Sequence, residues 1–581
     1  MLFVPEAAMV EREGGDISYM DMLEETGLYS PVKEFYEKSV ICVTGATGFM
    51  GKVLIEKLLR SCVSSVGKNC YLKTLPKLHV LHNISDHQHQ QSEAIYTCLF
   101  VLSTLMQQII KSPIIYVSCF RSCPGIPKLY ILVREKKGKD ISERFKEQFA
   151  DPVRNNSEMR GLLGSRFQKL RLLFFFFQLY ERLRREQPHF MTKLHFVNGD
   201  VGKLRLGLSD EDYDMIVNIF FHGAATVRFD ERLQQAVMVN VRGTREALLL
   251  AKKCVNLVAF VHVSTAYSNC ISKEIDEKLL GAFPNTYAFT KMVGENVVKE
   301  LSPGLPVAMM RPSISTKLLY IYSITILFYV NNLYFFHQVI VGAGIGLIRT
   351  LHCNRNILAD IIPVDYVINA TIVAAYEDCG RQVEEKPVPI YNYVSSNERP
   401  ITWGKFMSLA EHYGMEVPTT FCLWYYCFSL NKHKSIHTIY VYLLHLLPAY
   451  IVDTVLYCIG KKPMLLAAYK KVHKFSSVIS YFCTQQWRFH NYNVKALSKT
   501  LTPGDRALFD FDIAHLNWEE FFYTYIRGIR LYLIKDTFET IEEGKKKQAW
   551  LKIAHYTIVT VLSFFLFQFV WAMARWVGLL S

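Results

Sequence analysis

The run Gly45-Ala46-Thr47-Gly48-Phe49-Met50-Gly51 follows four apolar residues, Val40-Ile41-Cys42-Val43, and opens a helical stretch from Lys52 to Leu59. A strand that turns sharply into a helix leaves unpaired backbone N–H groups and the positive end of the helix dipole at the turn. Glycines let a pyrophosphate come close to that backbone. A lone glycine-rich turn is weak evidence, but here the strand before it and the helix after it supply the required context. The expected fold is α/β, a Rossmann-like doubly wound parallel sheet. Gly45, Thr47, Gly48, Phe49, Met50 and Gly51 are its expected dinucleotide contacts.

In such a fold the second strand ends about twenty residues after the turn, with a side chain that meets the adenosine ribose. The first suitable strand here, Lys128-Leu129-Tyr130-Ile131-Leu132-Val133-Arg134, comes much later. Removing residues 63 to 123 would restore the spacing. A basic residue at this position suits the 2′-phosphate of NADPH, whereas an acidic one would favour the NAD ribose. Further on, Leu194 to Val201 reads as a strand whose end places Asp200 and Val201 near the adenine. Ile219-Phe220-Phe221-His222-Gly223-Ala224-Ala225 ends in small residues, among them Ala224, that allow the cofactor to lie against the backbone. Asn240 then begins or lines another helix and is a further expected cofactor contact.

The expected chemistry centres on Tyr287-Ala288-Phe289-Thr290-Lys291. Four residues apart on a helix, the phenol and the ammonium share one face, and a nearby cation favours phenolate and lowers the tyrosine pKa. Tyr287 could then give its proton to a carbonyl oxygen while a nicotinamide delivers hydride. The strand Leu257 to Val263 ends in Ser264-Thr265-Ala266-Tyr267, where a hydroxyl could steady the developing oxyanion. Sequence leaves the choice between Ser264 and Thr265 open, with a preference for Thr265.

Taken together, Thr44 to Gly51, Leu132-Val133-Arg134, His262 to Tyr267 and Tyr287 to Lys291 resemble the alcohol-forming fatty acyl-CoA reductases. These are extended short-chain dehydrogenase/reductases with a C-terminal male-sterility-type domain. That second domain is echoed in Leu446 to Tyr450, Gly460 to Met464, Phe509 to Asp512 and Asn517 to Glu520. The resemblance runs from about Phe35 onward. It implies NADPH-dependent reduction of a long-chain fatty acyl-CoA, through a bound aldehyde, to a fatty alcohol. It also suggests a peroxisomal or endoplasmic reticulum membrane. Two other readings fit the same residues: a membrane-associated short-chain dehydrogenase acting on a steroid or sugar, and a catalytically dead lipid-binding homologue.

The chain departs from the family at four places. Residues 63 to 123 are extra, 154 to 178 look inserted, the pattern is lost from about 315 to 337, and a loop is missing between Lys278 and Leu279. Val63-Ser64 can be encoded by a splice-donor sequence and Phe174 to Gln178 by an acceptor tract, so translated introns are one expectation and genuine surface insertions the other.

At 581 residues the chain exceeds one ordinary core. The expected division is an N-terminal extension over 1 to 34, a reductase domain over 35 to 400, a helical domain over 401 to 540 and a membrane tail over 554 to 580. That tail is almost continuously apolar from Tyr556 to Met573, long enough to span a bilayer as helix, and Lys545, Lys546, Lys547 and Lys552 before it favour a cytosolic N-terminal side. The formal net charge of +14 is scattered. No basic stripe interleaved with aromatics appears, so the expected partners are acyl-CoA and membrane lipid rather than nucleic acid. Of the fourteen cysteines, Cys119 and Cys123 could form half a zinc site, but no second pair follows at the needed spacing, and no metal is expected.

Overall fold

A computed structural model describes residues 29–61, 125–135, 180, 183, 187, 189–270, 283–316, 335–378 and 387–576. The stretches 63 to 123 and 154 to 178, the Cys119 and Cys123 pair, and the Lys278 to Leu279 junction lie outside the described residues. So do most of 1 to 34 and of 315 to 337.

Seven strands form one parallel sheet: β1 (Val40–Thr44), β2 (Lys128–Val133), β3 (Leu194–Asn198), β4 (Ile219–His222), β5 (Ala259–Val263), β6 (Val307–Pro312) and, after three short strands, β10 (Ile390–Tyr393). The short ones are β7 (Ile314–Thr316), β8 (Thr350–His352) and β9 (Ile361–Pro363). Their order across the sheet is β3-β2-β1-β4-β5-β6-β10. Every neighbouring pair is parallel, with Cys42 opposite Tyr130 on one side and Phe220 on the other. Ser315 and Thr316, where the family pattern fades, still continue a strand, because β7 pairs with β9.

Strand alternation explains the two layers. Ile41, Val43, Ile219, Phe221 and Val261 face α1 (Phe49–Ser61) and α4 (Val364–Glu377), while Cys42, Phe220 and Phe260 face α2 (Gly243–Lys253) and α3 (Thr286–Leu301). Strands buried on both sides read as continuous apolar runs, and these do. The chain is doubly wound, and its strand order reverses beside β1. The crevice at the carboxyl ends of β1 and β4 is where such folds take ligands.

Beyond β10 the chain is mainly helical: α5 (Trp403–Glu416), then β11 (Ser429–Asn431) beside β8, α6 (Lys434–Tyr440), α7 (Leu447–Cys458), α8 (Leu465–Thr484), α9 (Pro503–Phe509), α10 (Trp518–Gly528) and α11 (Ile541–Trp576). A π-turn over Val441–Leu446 joins α6 to α7. The end of the expected N-terminal extension is tied to this region, since the Ser30 hydroxyl and the Val32 amide both donate to Asp505, at 2.6 and 3.0 Å. Among the described residues, two helical stretches, Lys434–Cys458 and Phe538–Arg575, are long and apolar enough to cross a membrane. Most apolar residues of the second are exposed from Trp550 onward.

Candidate active site

The glycine turn is built for close backbone approach. Gly45 has φ +77°, and a Cβ there would lie 2.7 Å from Ala224 N. A Cβ on Gly51 would lie 2.4 Å from Gly45 O, so no side chain fits inside the first turn of α1. The Gly48 amide donates to Gly45 O at 2.8 Å and closes the turn.

A cavity of about 890 Å³ opens above this turn. Gly45, Thr47, Gly48, Phe49, Met50, Gly51, Arg134, Asp200, Val201 and Ala224 line one end of it, and Ser264, Thr265, Tyr287 and Lys291 line the other. Arg134 and Asp200 come from the ends of β2 and β3, and their charged groups lie 4.0 Å apart. The turn, cleared of side chains, and a cation at the end of β2 fit a phosphorylated dinucleotide.

Asn240 departs from expectation. It sits in a π-turn, Met238–Arg242, is buried, and is not part of the cavity lining. Its amide accepts from Thr226 N at 2.8 Å and donates to Thr226 O at 3.1 Å and to Thr290 at 3.0 Å. It braces the 223–229 loop, which does line the cavity, and Val239 takes the cavity-facing place beside it.

Tyr287, Lys291 and Glu295 follow one another at helical spacing on α3, so all three share a face. Tyr287 is half-buried, Lys291 and Glu295 fully buried. The Lys291 ammonium donates to Val263 O at 2.8 Å. Burial lowers its pKa to about 8, against the opposing pull of Glu295. The expected fall in the Tyr287 pKa is reversed here: burial pushes the phenol up, a hydrogen bond with Thr265 draws it back, and Glu295 pushes it up again. Desolvation outweighs charge because Lys291 turns to the backbone of β5 and is already balanced by Glu295.

The two candidate hydroxyls part company. Thr265 lines the cavity with Tyr287 and its hydroxyl donates to Pro312 O at 3.5 Å, whereas Ser264 donates to Glu295 Oε1 at 2.6 Å. Ser268 reaches the same oxygen at 2.7 Å and Arg311 Nε at 2.9 Å, while Asn269 and a terminal Arg311 nitrogen hold Oε2. Sequence reasoning missed Glu295 and Arg311. The available signal was the glutamate four residues after Lys291, one further helical turn along the same face.

The far wall was also missed. Phe229 meets the Tyr287 ring edge-on with centroids 5.7 Å apart, and Phe482 lies 6.0 Å from Phe229 and 5.3 Å from Tyr267. Phe482 and Ile479 belong to α8, so the C-terminal region completes the cavity with apolar surface.

This sheet and glycine turn define a dinucleotide-binding fold of the Rossmann type. Residues 43–89 with 114–371, and residues 444–536, match two families that are both described as male sterility protein. The first match breaks within the stretch 63 to 123. The chain is 32% identical to "Fatty acyl-CoA reductase wat" of Drosophila melanogaster, an alignment spanning 94% of this chain and 92% of that one. It is 28% identical to "Fatty acyl-CoA reductase 1" of Rattus norvegicus over 91% and 92%. Among solved structures, the reductase domain of a nonribosomal peptide synthetase from Mycobacterium tuberculosis aligns at 15% identity with a TM-score of 0.49, covering 89% of this chain and 96% of that one. The chain belongs to the male sterility family, together with these fatty acyl-CoA reductases.

Proposed function

We propose that this protein reduces long-chain fatty acyl-CoA to fatty alcohol with NADPH, and that α11 anchors it in a membrane. The observation that carries the reading is a single cavity that joins a phosphate-sized turn, the Tyr287 and Thr265 hydroxyls, and an apolar wall from α8. We read residues 35 to 400 as the reductase domain, 401 to 540 as the helical domain and 554 to 580 as the tail.

NADPH, when bound, supplies the hydride for each of two reductions. Gly45 to Gly51 would hold its pyrophosphate and Arg134 its 2′-phosphate. The chain's own residues do the rest. Thr265 and Tyr287 hold the substrate oxygen, and Tyr287, kept protonated at neutral pH by burial, gives it a proton as negative charge develops. Lys291 sets the field in which that proton moves. The thioester carbon gains a hydride, its oxygen gains the proton, and loss of CoA as the thiol leaves an aldehyde. The aldehyde then accepts a second hydride and proton in the same cavity. Phe229, Ile479 and Phe482 keep water from the reacting carbon.

The test is alcohol formation from acyl-CoA and NADPH by membranes carrying the chain, beside Tyr287→Phe. Alcohol from the first alone supports the proposal. Nucleotide binding without turnover favours a lipid-binding role instead, and turnover of a steroid or sugar with none of acyl-CoA favours the other reductase reading.

A further inference from the structure

Besides the tail, the chain exposes a second apolar surface. Between Lys432 and Thr484 it forms a helical hairpin: α6, the π-turn and α7 run outward as one helix of 25 residues, Gly460 turns the chain at φ +72°, and α8 returns against α7. The outward limb exposes Ile439, Tyr442, Leu443, Tyr450, Ile451 and Val455, and the tip exposes Tyr457, at 75%, with Ile459 and Met464. Contiguous apolar surface of this kind marks a place where something binds.

Charge says what binds. The only acidic residue between Lys432 and Thr484 is Asp453, against seven lysines. Asp453 is 5% exposed, and its carboxylate accepts the main-chain amides of Met464, Leu465 and Leu466 at 3.0, 2.9 and 2.9 Å. It is consumed in capping α8 and in locking the two limbs together. The lysines are exposed at the base (Lys432, Lys434), at the tip (Lys461, Lys462) and along α8, and among the described residues only Lys474 has an acidic partner, Asp230 at 2.8 Å. An apolar band edged by unpaired lysines complements the acyl chains and phosphates of an anionic leaflet.

The hairpin is also fixed to the root of the tail. Arg349 donates to Leu444 O at 3.0 Å and stacks its guanidinium over Trp424 at 5.6 Å, and the Trp424 indole donates to His555 of α11 at 3.1 Å. A helix that enters the bilayer therefore brings the hairpin to its surface. One side of the outward limb is already covered, with His445, Ala449 and Asp453 buried. Only the other side is left for lipid, which suits a helix lying in the interface rather than one crossing it.

We infer that the hairpin from Lys432 to Thr484 is a second membrane-contact element, seated in the plane of an anionic phospholipid leaflet. Its consequence for the proposed reaction, on which this step rests, is a short path for substrate. The helix that returns from the leaflet, α8, carries Ile479 and Phe482 into the cavity wall, so an acyl chain leaves the bilayer beside the element that lines its site.

The test uses the full chain in vesicles of phosphatidylcholine with phosphatidylserine, bearing photoreactive benzoylphenylalanine in place of Tyr450, Tyr457, Phe565 or Val255. Lipid adducts are expected at Tyr450 and Tyr457, and none at Val255, which is 97% exposed on the reductase body. Lys461→Glu with Lys462→Glu should lower the Tyr457 adduct roughly tenfold. Adducts at Phe565 without any at Tyr450 and Tyr457 overturn the inference, as do cross-links from those two to a second copy of the chain. Adducts at Tyr450 and Tyr457 without one at Phe565 support the hairpin and reject the tail. Failure of alcohol formation with these adducts intact rejects the enzymatic reading alone.

Discussion

Replacing Glu295 by glutamine changes one oxygen to an amide nitrogen and should unsettle the whole catalytic end of the cavity. Glu295 is 1% exposed and accepts from Ser264, Ser268, Asn269 and Arg311. A glutamine oxygen can replace one carboxylate oxygen, but its NH₂ would then face the donors of Asn269 and Arg311. The partly buried Arg311 loses its counter-ion, a change that costs about 3–5 kcal/mol when the pair is buried. Thermal unfolding should reveal this directly.

The second effect is electrostatic. Burial has already lowered Lys291 from 10.5 to about 8, and Glu295 is what opposes that fall. Without it the lysine loses its proton at still lower pH. If the protonated lysine supports proton donation by Tyr287, wild-type activity declines as pH rises through about 8, and the decline in Glu295→Gln begins earlier. Each unit of displacement corresponds to about 1.4 kcal/mol. The assay is kcat/KM for acyl-CoA as a function of pH, from neutral to alkaline, for both proteins. A lower melting temperature with the alkaline limb unmoved would refute the electrostatic reasoning and leave Glu295 a purely structural brace.

Three further outcomes follow from the same geometry. Tyr287→Phe should lower kcat by roughly 10²- to 10⁴-fold, the range for a lost general acid, while NADPH binding measured by fluorescence titration is retained. Arg134→Leu should raise the KM for NADPH by roughly tenfold or more, the worth of a charged hydrogen bond, and leave that for NADH nearly unchanged. Gly51→Ala places a Cβ 2.4 Å from Gly45 O, so the turn must open, and nucleotide binding should be lost in the same titration.

Much of this was legible because it is local. The turn from Gly45 to Gly51 announces itself through the residues on either side; β2, β4 and β5 lie within the runs read from sequence, and β1 extends one residue beyond its run, to Thr44. The spacing of Tyr287 and Lys291 fixes their common face without tertiary information. What stayed open or came out differently depended on register and burial. Ser264 and Thr265 are adjacent, and only the packing of α3 on the end of β5 sends one to Glu295 and leaves the other lining the cavity with Tyr287. Asn240, expected among the cofactor contacts, sits in a π-turn and is turned inward to Thr226. The phenol's direction of shift was wrong for a related reason, since helical spacing reports proximity and says nothing of desolvation.

The hardest part to read was the wall contributed by α8. Phe482 lies more than two hundred residues from Tyr267, and the helix that carries it has an apolar pattern that would equally suit packing against α7. Three facts meet there only in three dimensions: α7 exposes its apolar side, Asp453 locks α7 to the start of α8, and α8 ends against Tyr267 and Phe229. A substrate chain that is insoluble in water gains most from a site whose wall continues into a lipid-facing surface, because its apolar length need never be exposed to water between bilayer and catalytic carbon. On this reasoning, substitutions at Phe482 should alter acyl-chain preference with nucleotide affinity unchanged, and they belong to the reductase site although they lie in the C-terminal region.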